Sequence, residues 1–172
     1  MTETVLKPSP QDATDLGPDL PSALKLAMRR LASGVAVVTA NGADGPTGMA
    51  ATSITSLSLD PPSLLVCVNR DASLHACLAE GSRLSVNLLA DNQREIAAAF
   101  GGAVARELRF TVGAWTLDGH GTPELDGAQS NLSCSVDRLI AYGTHTVVIG
   151  KVDSVRLGDI TAPLIYQDGR YL

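Results

Sequence analysis

The sequence predicts a mainly β domain, an antiparallel barrel or sandwich with a few short helices. Three observations predict it. Strand-like runs follow one another across hairpin-type turns such as Asn41-Gly42 and Asp44-Gly45. The two longest runs, about Ala128 to Ala141 and Thr144 to Arg156, meet at Tyr142-Gly143. Helical patterns are too few to stand between successive strands, as a doubly wound sheet requires.

In chain order, residues 1–21 hold Pro8, Pro10, Pro18 and Pro21 among polar residues without periodicity, and read as a flexible arm. The domain proper is expected over 22–172. Leu24, Ala27, Met28 and Leu31 follow the spacing of an amphipathic helix, with Gly34 closing it. Val35 to Ala40 is a buried-type strand. Pro61-Pro62 precedes a second, Ser63 to Val68. Asn69 to Ser73 leads into a short helix carrying Leu74 and Leu78, ended by Gly81. Leu84 to Leu88 alternates as a strand. A helix is expected from about Asp91, as N-cap, to Phe100, with Gly101-Gly102 as its stop. Trp115 to Leu117 starts a strand that runs into a glycine-rich loop. In the last long strand His145, Val147, Ile149 and Lys151 face one way, and Thr146, Val148, Gly150 and Val152 the other. Pro163 to Leu172 reads as a final strand.

Composition narrows the function. The chain has 172 residues, 45% of them hydrophobic, which suits one domain with a sizeable core or a covered interface. A net charge of −5 argues against a nucleic-acid partner, which needs a basic face. No leader and no apolar run of membrane-spanning length is read, so a cytoplasmic protein without a membrane partner is expected. Cys67, Cys77 and Cys134 lie in apolar contexts and read as small hydrophobes. His75, His120 and His145 are spaced too irregularly for a metal site, and none is expected. Neither G-x-G-x-x-G nor a P-loop is present.

Gly48 to Pro62 is the most informative stretch. Eight of its fifteen residues are Gly, Ala, Ser or Thr, although it lies between strand-like segments. Small side chains let a flat ligand approach the backbone, where N–H groups and hydroxyls can bond its polar edge. Asn69, Arg70 and Ser73 stand where a strand gives way to a helix N-terminus, a natural phosphate site with a guanidinium beside it. Acid–base sets are scarce, which suits hydride transfer, a reaction that needs positioning more than proton relays.

Five segments in one order resemble the flavin reductase-like family: Ala32 to Thr39 with Gly48 to Pro62; Leu125 to Ala128 with Leu132-Ser133-Cys134; Gly143 to Thr146 with Ile149 to Val152; Pro163 to Tyr166; and Gly169 to Tyr171. The match covers about Leu24 to Tyr171. It implies a split β-barrel of the Greek-key, FMN-binding type, working as a homodimer. It implies an NAD(P)H:flavin oxidoreductase that passes a hydride from NADH or NADPH to FAD or FMN. The reduced flavin then serves a separate oxygenase or halogenase. Ala51, Thr52 and Ser53 are placed by it against the polar edge of the isoalloxazine, and Ser56 further along the rim. Asn69, Arg70 and Ser73 are placed at a phosphate, with Arg94 and Phe110 as further cofactor contacts. His145 is expected on the nicotinamide side, orienting the ring, with Arg170 and Tyr171 covering the same pocket. Thr144 and Ser133 stand where the family often carries acids, which puts the choice of pyridine nucleotide in question. The alternatives are a flavoprotein with tightly bound FMN that binds or senses, and a direct oxidase of a small organic substrate.

Overall fold

A computed structural model describes residues 19–159 and 161–172. Residues 1–18 of the expected arm lie outside the described residues. Helix α1 (Leu20–Met28) begins ahead of Ser22 and takes Pro21 into its first turn, where a missing N–H loses no bond. It ends at Met28 rather than running on toward Gly34. The N–H groups of Arg30 and Leu31 donate to the Ala27 and Met28 carbonyls, which tightens the last residues into a turn.

Strands β1 (Ser33–Gly34), β2 (Ala36–Gly42), β3 (Gly45–Ala51), β4 (Ile54–Leu59) and β5 (Pro62–Asn69) follow. A 3-10 turn (Ser73–Cys77) then leads to β6 (Arg83–Leu88). The helix expected from Asp91 is broken into a 3-10 turn (Asp91–Gln93), α2 (Arg94–Ala98) and a π turn (Ala99–Ala103). Asp91 does not cap it: the Gln93 side chain reaches back to accept the Ala90 N–H at 2.9 Å. A further 3-10 segment, Arg106–Thr111, precedes the short hairpin of β7 (Trp115–Leu117) and β8 (Pro123–Leu125). The long hairpin is β9 (Ser130–Tyr142) and β10 (His145–Leu157). The chain end is itself a hairpin, β11 (Ile165–Gln167) and β12 (Arg170–Tyr171), not one strand. Asp168 and Gly169 at its turn have φ of 51° and 80°, the left-handed pair that a two-residue hairpin requires.

Seven strands form one antiparallel sheet in the order β3-β2-β6-β9-β10-β5-β4. Its two edge strands, β3 and β4, are joined by Thr52 and Ser53 alone. Laid flat, six inter-strand steps would hold the edges about 29 Å apart. Two linking residues span roughly 10 Å. The sheet therefore curls until its edges meet, giving a barrel split along a β3–β4 seam. Ser53 stitches the seam to β5: its carbonyl accepts the Cys67 N–H at 3.2 Å, and its hydroxyl donates to the Cys67 carbonyl at 3.1 Å.

Alternate residues of β2 serve two cores, which explains its unbroken apolar run. Ala36, Val38 and Ala40 join the barrel interior with Val66, Val86, Cys134 and Val148. Val35 and Val37 join an outer core under α2 and the π turn, with Leu89, Phe100 and Leu164. Cys134 is fully buried, and burial pushes its thiol up to about 12, so it stays protonated. Cys67 and Cys77 are only half-buried.

A buried polar chain fastens the β7–β8 hairpin over the sheet. Asn87 donates to the Val37 carbonyl at 2.9 Å and accepts from the Leu125 N–H at 2.9 Å and Asn131 Nδ2 at 2.7 Å. Arg156 ties Asn131 Oδ1 at 3.1 Å to the Glu124 carboxylate at 3.1 Å. The Ser133 hydroxyl lies between Glu124 Oε1, at 2.8 Å, and Asp118 Oδ2, at 3.1 Å. Ser133 is thus a buried member of this chain, covered by the hairpin, and not a lining residue of a nucleotide pocket.

Burial by itself would raise the Asp118 carboxyl. Donation from the Thr122 and His120 backbone N–H groups and from Ser133, with the His120 charge, outweighs it and holds Asp118 below its ordinary 3.8. A depressed carboxyl contributes stability that is present above the unfolded value and lost as pH falls through the folded one. The advantage of the native chain over Asp118→Asn, measured by urea midpoints, is expected to be full above about pH 4 and to shrink below 3.8. A gap that stays constant into the acid range contradicts this account.

Candidate functional site

The seam opens into cavities on both sides of the Thr52-Ser53 link. One, of about 460 Å³, lies between β1 and β4 and is lined by Ser33, Gly34, Thr52, Thr55 and Ser56. A second, of about 580 Å³, lies between the end of α1 and the β11–β12 turn and shares Ser33 and Thr52 with the first. Volumes of this order suit small-molecule ligands. Thr52 and Ser53 are exposed, and their N–H groups donate to no carbonyl among the described residues. Ser53 offers its backbone but not its hydroxyl proton, which Cys67 takes. Ala51 turns its methyl into the barrel interior, where it is 6% exposed, so it too presents backbone only. Ser56 is exposed on β4, at the border of the first cavity.

A third cavity, of about 410 Å³, lies on the outer side of β3. Gly48, Met49 and Ala50 form one wall, Asp71, Ala72 and Ser73 another, and Phe100, Gly101, Gly102, Arg106 and Arg109 the rest. Gly48 is needed there: a Cβ would come within 2.9 Å of the Phe100 ring and 3.0 Å of the Val38 carbonyl. Phe100 is held in turn by Phe110 and Trp115, with all three ring centroids 5.1 Å apart.

Asn69 accepts the Asp71 N–H at 2.9 Å, and this turn sets Asp71 to Ser73 on the cavity wall. Ser73 pairs with Thr47 through their hydroxyls at 3.0 Å. The helix expected after it is a five-residue 3-10 turn, too short for an aligned dipole to attract an anion. Guanidinium groups take that role. Arg109 Nη1 donates to the Gly48 carbonyl at 3.1 Å, while its Nε is buried without a partner. A buried, unpartnered charged donor beside a cavity fits an anionic oxygen that completes it. Arg106 stands on the same face, because positions three apart eclipse in a 3-10 turn. That i, i+3 pair of arginines was the signal available in the sequence. Phe110, the contact expected from this segment, packs behind the wall of this cavity rather than lining it.

His145, the first residue of β10, is exposed and pairs across the ladder with Asn69 at the end of β5. Its Nδ1 meets the Thr144 hydroxyl at 2.9 Å, and the Arg70 N–H donates to the Thr144 carbonyl at 3.0 Å. His145, Asn69 and Arg70 therefore share one rim. Tyr171 reaches the third cavity: its hydroxyl would lie 3.7 Å from a Cβ at Gly101, and its ring packs on Tyr166 of the second cavity. Burial, then Tyr166, raises its phenol. Arg94, exposed at the start of α2, and Arg170, exposed on β12, line none of these cavities.

A split barrel with a backbone-rich seam and an arginine-lined cavity offers donors suited to a flat, polar-edged, anionic ligand. The chain belongs to the flavin reductase-like domain family, whose model matches residues 28–172. It is similar to the reductase component of FADH(2)-dependent resorcinol hydroxylase from Rhizobium sp., at 39% identity over 84% of this chain and 82% of that protein. It is likewise similar to the FMN reductase (NADH) RutF of Pantoea ananatis, at 35% over 99% and 95%. Among solved structures it resembles the NADH:FAD oxidoreductase SgcE6 of Streptomyces globisporus C-1027, in complex with NAD and FAD fragments. That likeness has a TM-score of 0.82 and 31% identity over 90% of this chain and 93% of that one.

Arg109→Ala is expected to weaken flavin phosphate binding, raising the KM for FMN roughly tenfold, the size of a lost charge-assisted bond. Riboflavin, which lacks the phosphate, is the comparison substrate. Equal effects on both flavins would remove Arg109 from the anion contact.

Proposed function

We propose that this chain is an NAD(P)H:flavin oxidoreductase that reduces FAD or FMN as a diffusible substrate and supplies it to a separate oxygenase. The observation that carries this reading is the open seam, with free backbone N–H groups at Thr52 and Ser53 between joined cavities. Family membership and the reductase components among its relatives support it.

Flavin, when bound, would supply the redox chemistry as the hydride acceptor. The chain's own residues bind and orient. The Thr52 and Ser53 N–H groups would donate to the polar edge of the ring and so favour its reduced, more negative form. Arg109, Arg106 and Ser73 hold the phosphate end, with Asn69 setting the Ser73 turn. His145, on the rim beside Asn69 and Arg70, orients the nicotinamide, and Tyr171 covers the approach. Hydride transfer asks no proton relay of them, which suits a site without a carboxylate–histidine pair.

The working unit is a homodimer. Helix α1 has no buried residue, and Leu20 and Leu24 are each more than half exposed. Leu59 of β4, 91% exposed, and Val155 of β10, 53%, border a largely apolar groove near the seam. Apolar surface of this extent fits cover by a second copy. No helix of the described residues is long and apolar enough to cross a membrane, and the free cysteines suit a cytoplasmic setting.

NADH oxidation is expected only when FAD, FMN or riboflavin is added, saturating with flavin, in a protein that sediments near twice 17.8 kDa. A protein that stays yellow on dilution and oxidises NADH without added flavin would favour the tight-FMN reading. Product formed from a small organic substrate with no second protein would favour the direct oxidase.

A further inference from the structure

The second cavity carries charge that the flavin seam does not require. Lys25 and Arg29 line it from the end of α1, and neither has a carboxylate within ion-pair distance among the described residues. The Arg29 backbone is held in place. Its carbonyl accepts the Asp168 N–H at 2.8 Å, and the neighbouring Arg30 carbonyl accepts Gln167 Nε2 at 2.9 Å. These bonds lock the end of α1 onto the β11–β12 turn. The Arg29 guanidinium then rests on Gly169, where a Cβ would stand 2.6 Å from Nη2. A side chain at 169 would push the guanidinium aside, and the turn's positive φ there also favours glycine.

Met28, Leu31 and Tyr166 give the cavity an apolar wall suited to a flat base. Asp168, its remaining charged group, suits a ribose hydroxyl donor. Thr52 and Ser53 place the cavity directly beside the seam.

We propose that this cavity binds the adenosine-phosphate half of a dinucleotide, with Arg29 and Lys25 on the phosphate. FAD and the nicotinamide dinucleotides share that group, and FMN lacks it. The proposal rests on the reductase reading only for what the rest of the dinucleotide is.

Adenosine monophosphate titrated calorimetrically into the full chain tests binding without turnover, so its failure is separate from any failure of the reductase reading. Binding is expected in the native chain, weakened roughly tenfold in Arg29→Ala and in Gly169→Ala, and retained in Arg30→Ala. Circular dichroism checks that each variant is folded. Kinetics then separate the sources. A roughly tenfold rise in the ratio of KM for FAD to KM for FMN in Arg29→Ala assigns the group to the flavin. A rise in KM for NADH with every flavin assigns it to the donor. No binding by the native chain, or equal binding by folded Arg29→Ala, overturns the proposal.

Discussion

The link between β3 and β4 is the constraint on which the rest depends. Two residues cannot span a flat seven-stranded sheet, so the sheet must curl and its edges must meet without pairing. Closure gathers small apolar residues from six strands into one interior and removes exposed edges except at the seam. The seam keeps backbone N–H groups free in a place where the fold cannot satisfy them itself. An open, donor-rich cleft is thus a consequence of how this barrel closes.

Supporting structure holds that site rigid from outside. The aromatic trio of Phe100, Phe110 and Trp115 backs the arginine-lined cavity, and Gly48 lets the Phe100 ring lie against β3. The polar chain from Asn87 to Arg156 fixes the β7–β8 hairpin from which Trp115 projects. Each buried group in that chain has a partner, so the hairpin cannot lift without exposing or orphaning several donors at once. Packing positions one side of the cavity, and the Asn69 turn positions the other.

Much of this was legible in the sequence. The alternation in β10 returned buried Thr146, Val148 and Gly150 between more exposed neighbours. The run from Gly48 marked the seam, because a strand built of small residues has little to pack and much backbone to offer. What was not legible depended on partners distant in the chain. The Ser53 hydroxyl is taken by Cys67, and Ser133 by acids that β8 and its loop bring over it. The spacing of Arg106 and Arg109 is visible in the sequence, but not that their segment lies against Gly48 of β3. Arg29 becomes a candidate contact only once the chain-end hairpin folds back onto α1.

Flavin binding in Thr52→Leu beside the native chain, read by quenching of flavin fluorescence, tests the central claim most directly. Thr52 is exposed, lies outside every ladder and borders both seam cavities, so the larger side chain fills the site without touching the core. The account predicts an unchanged urea midpoint with flavin affinity reduced at least roughly tenfold, about 1.4 kcal/mol. A folded Thr52→Leu that binds flavin as tightly as the native chain would contradict it and move the ligand away from the seam.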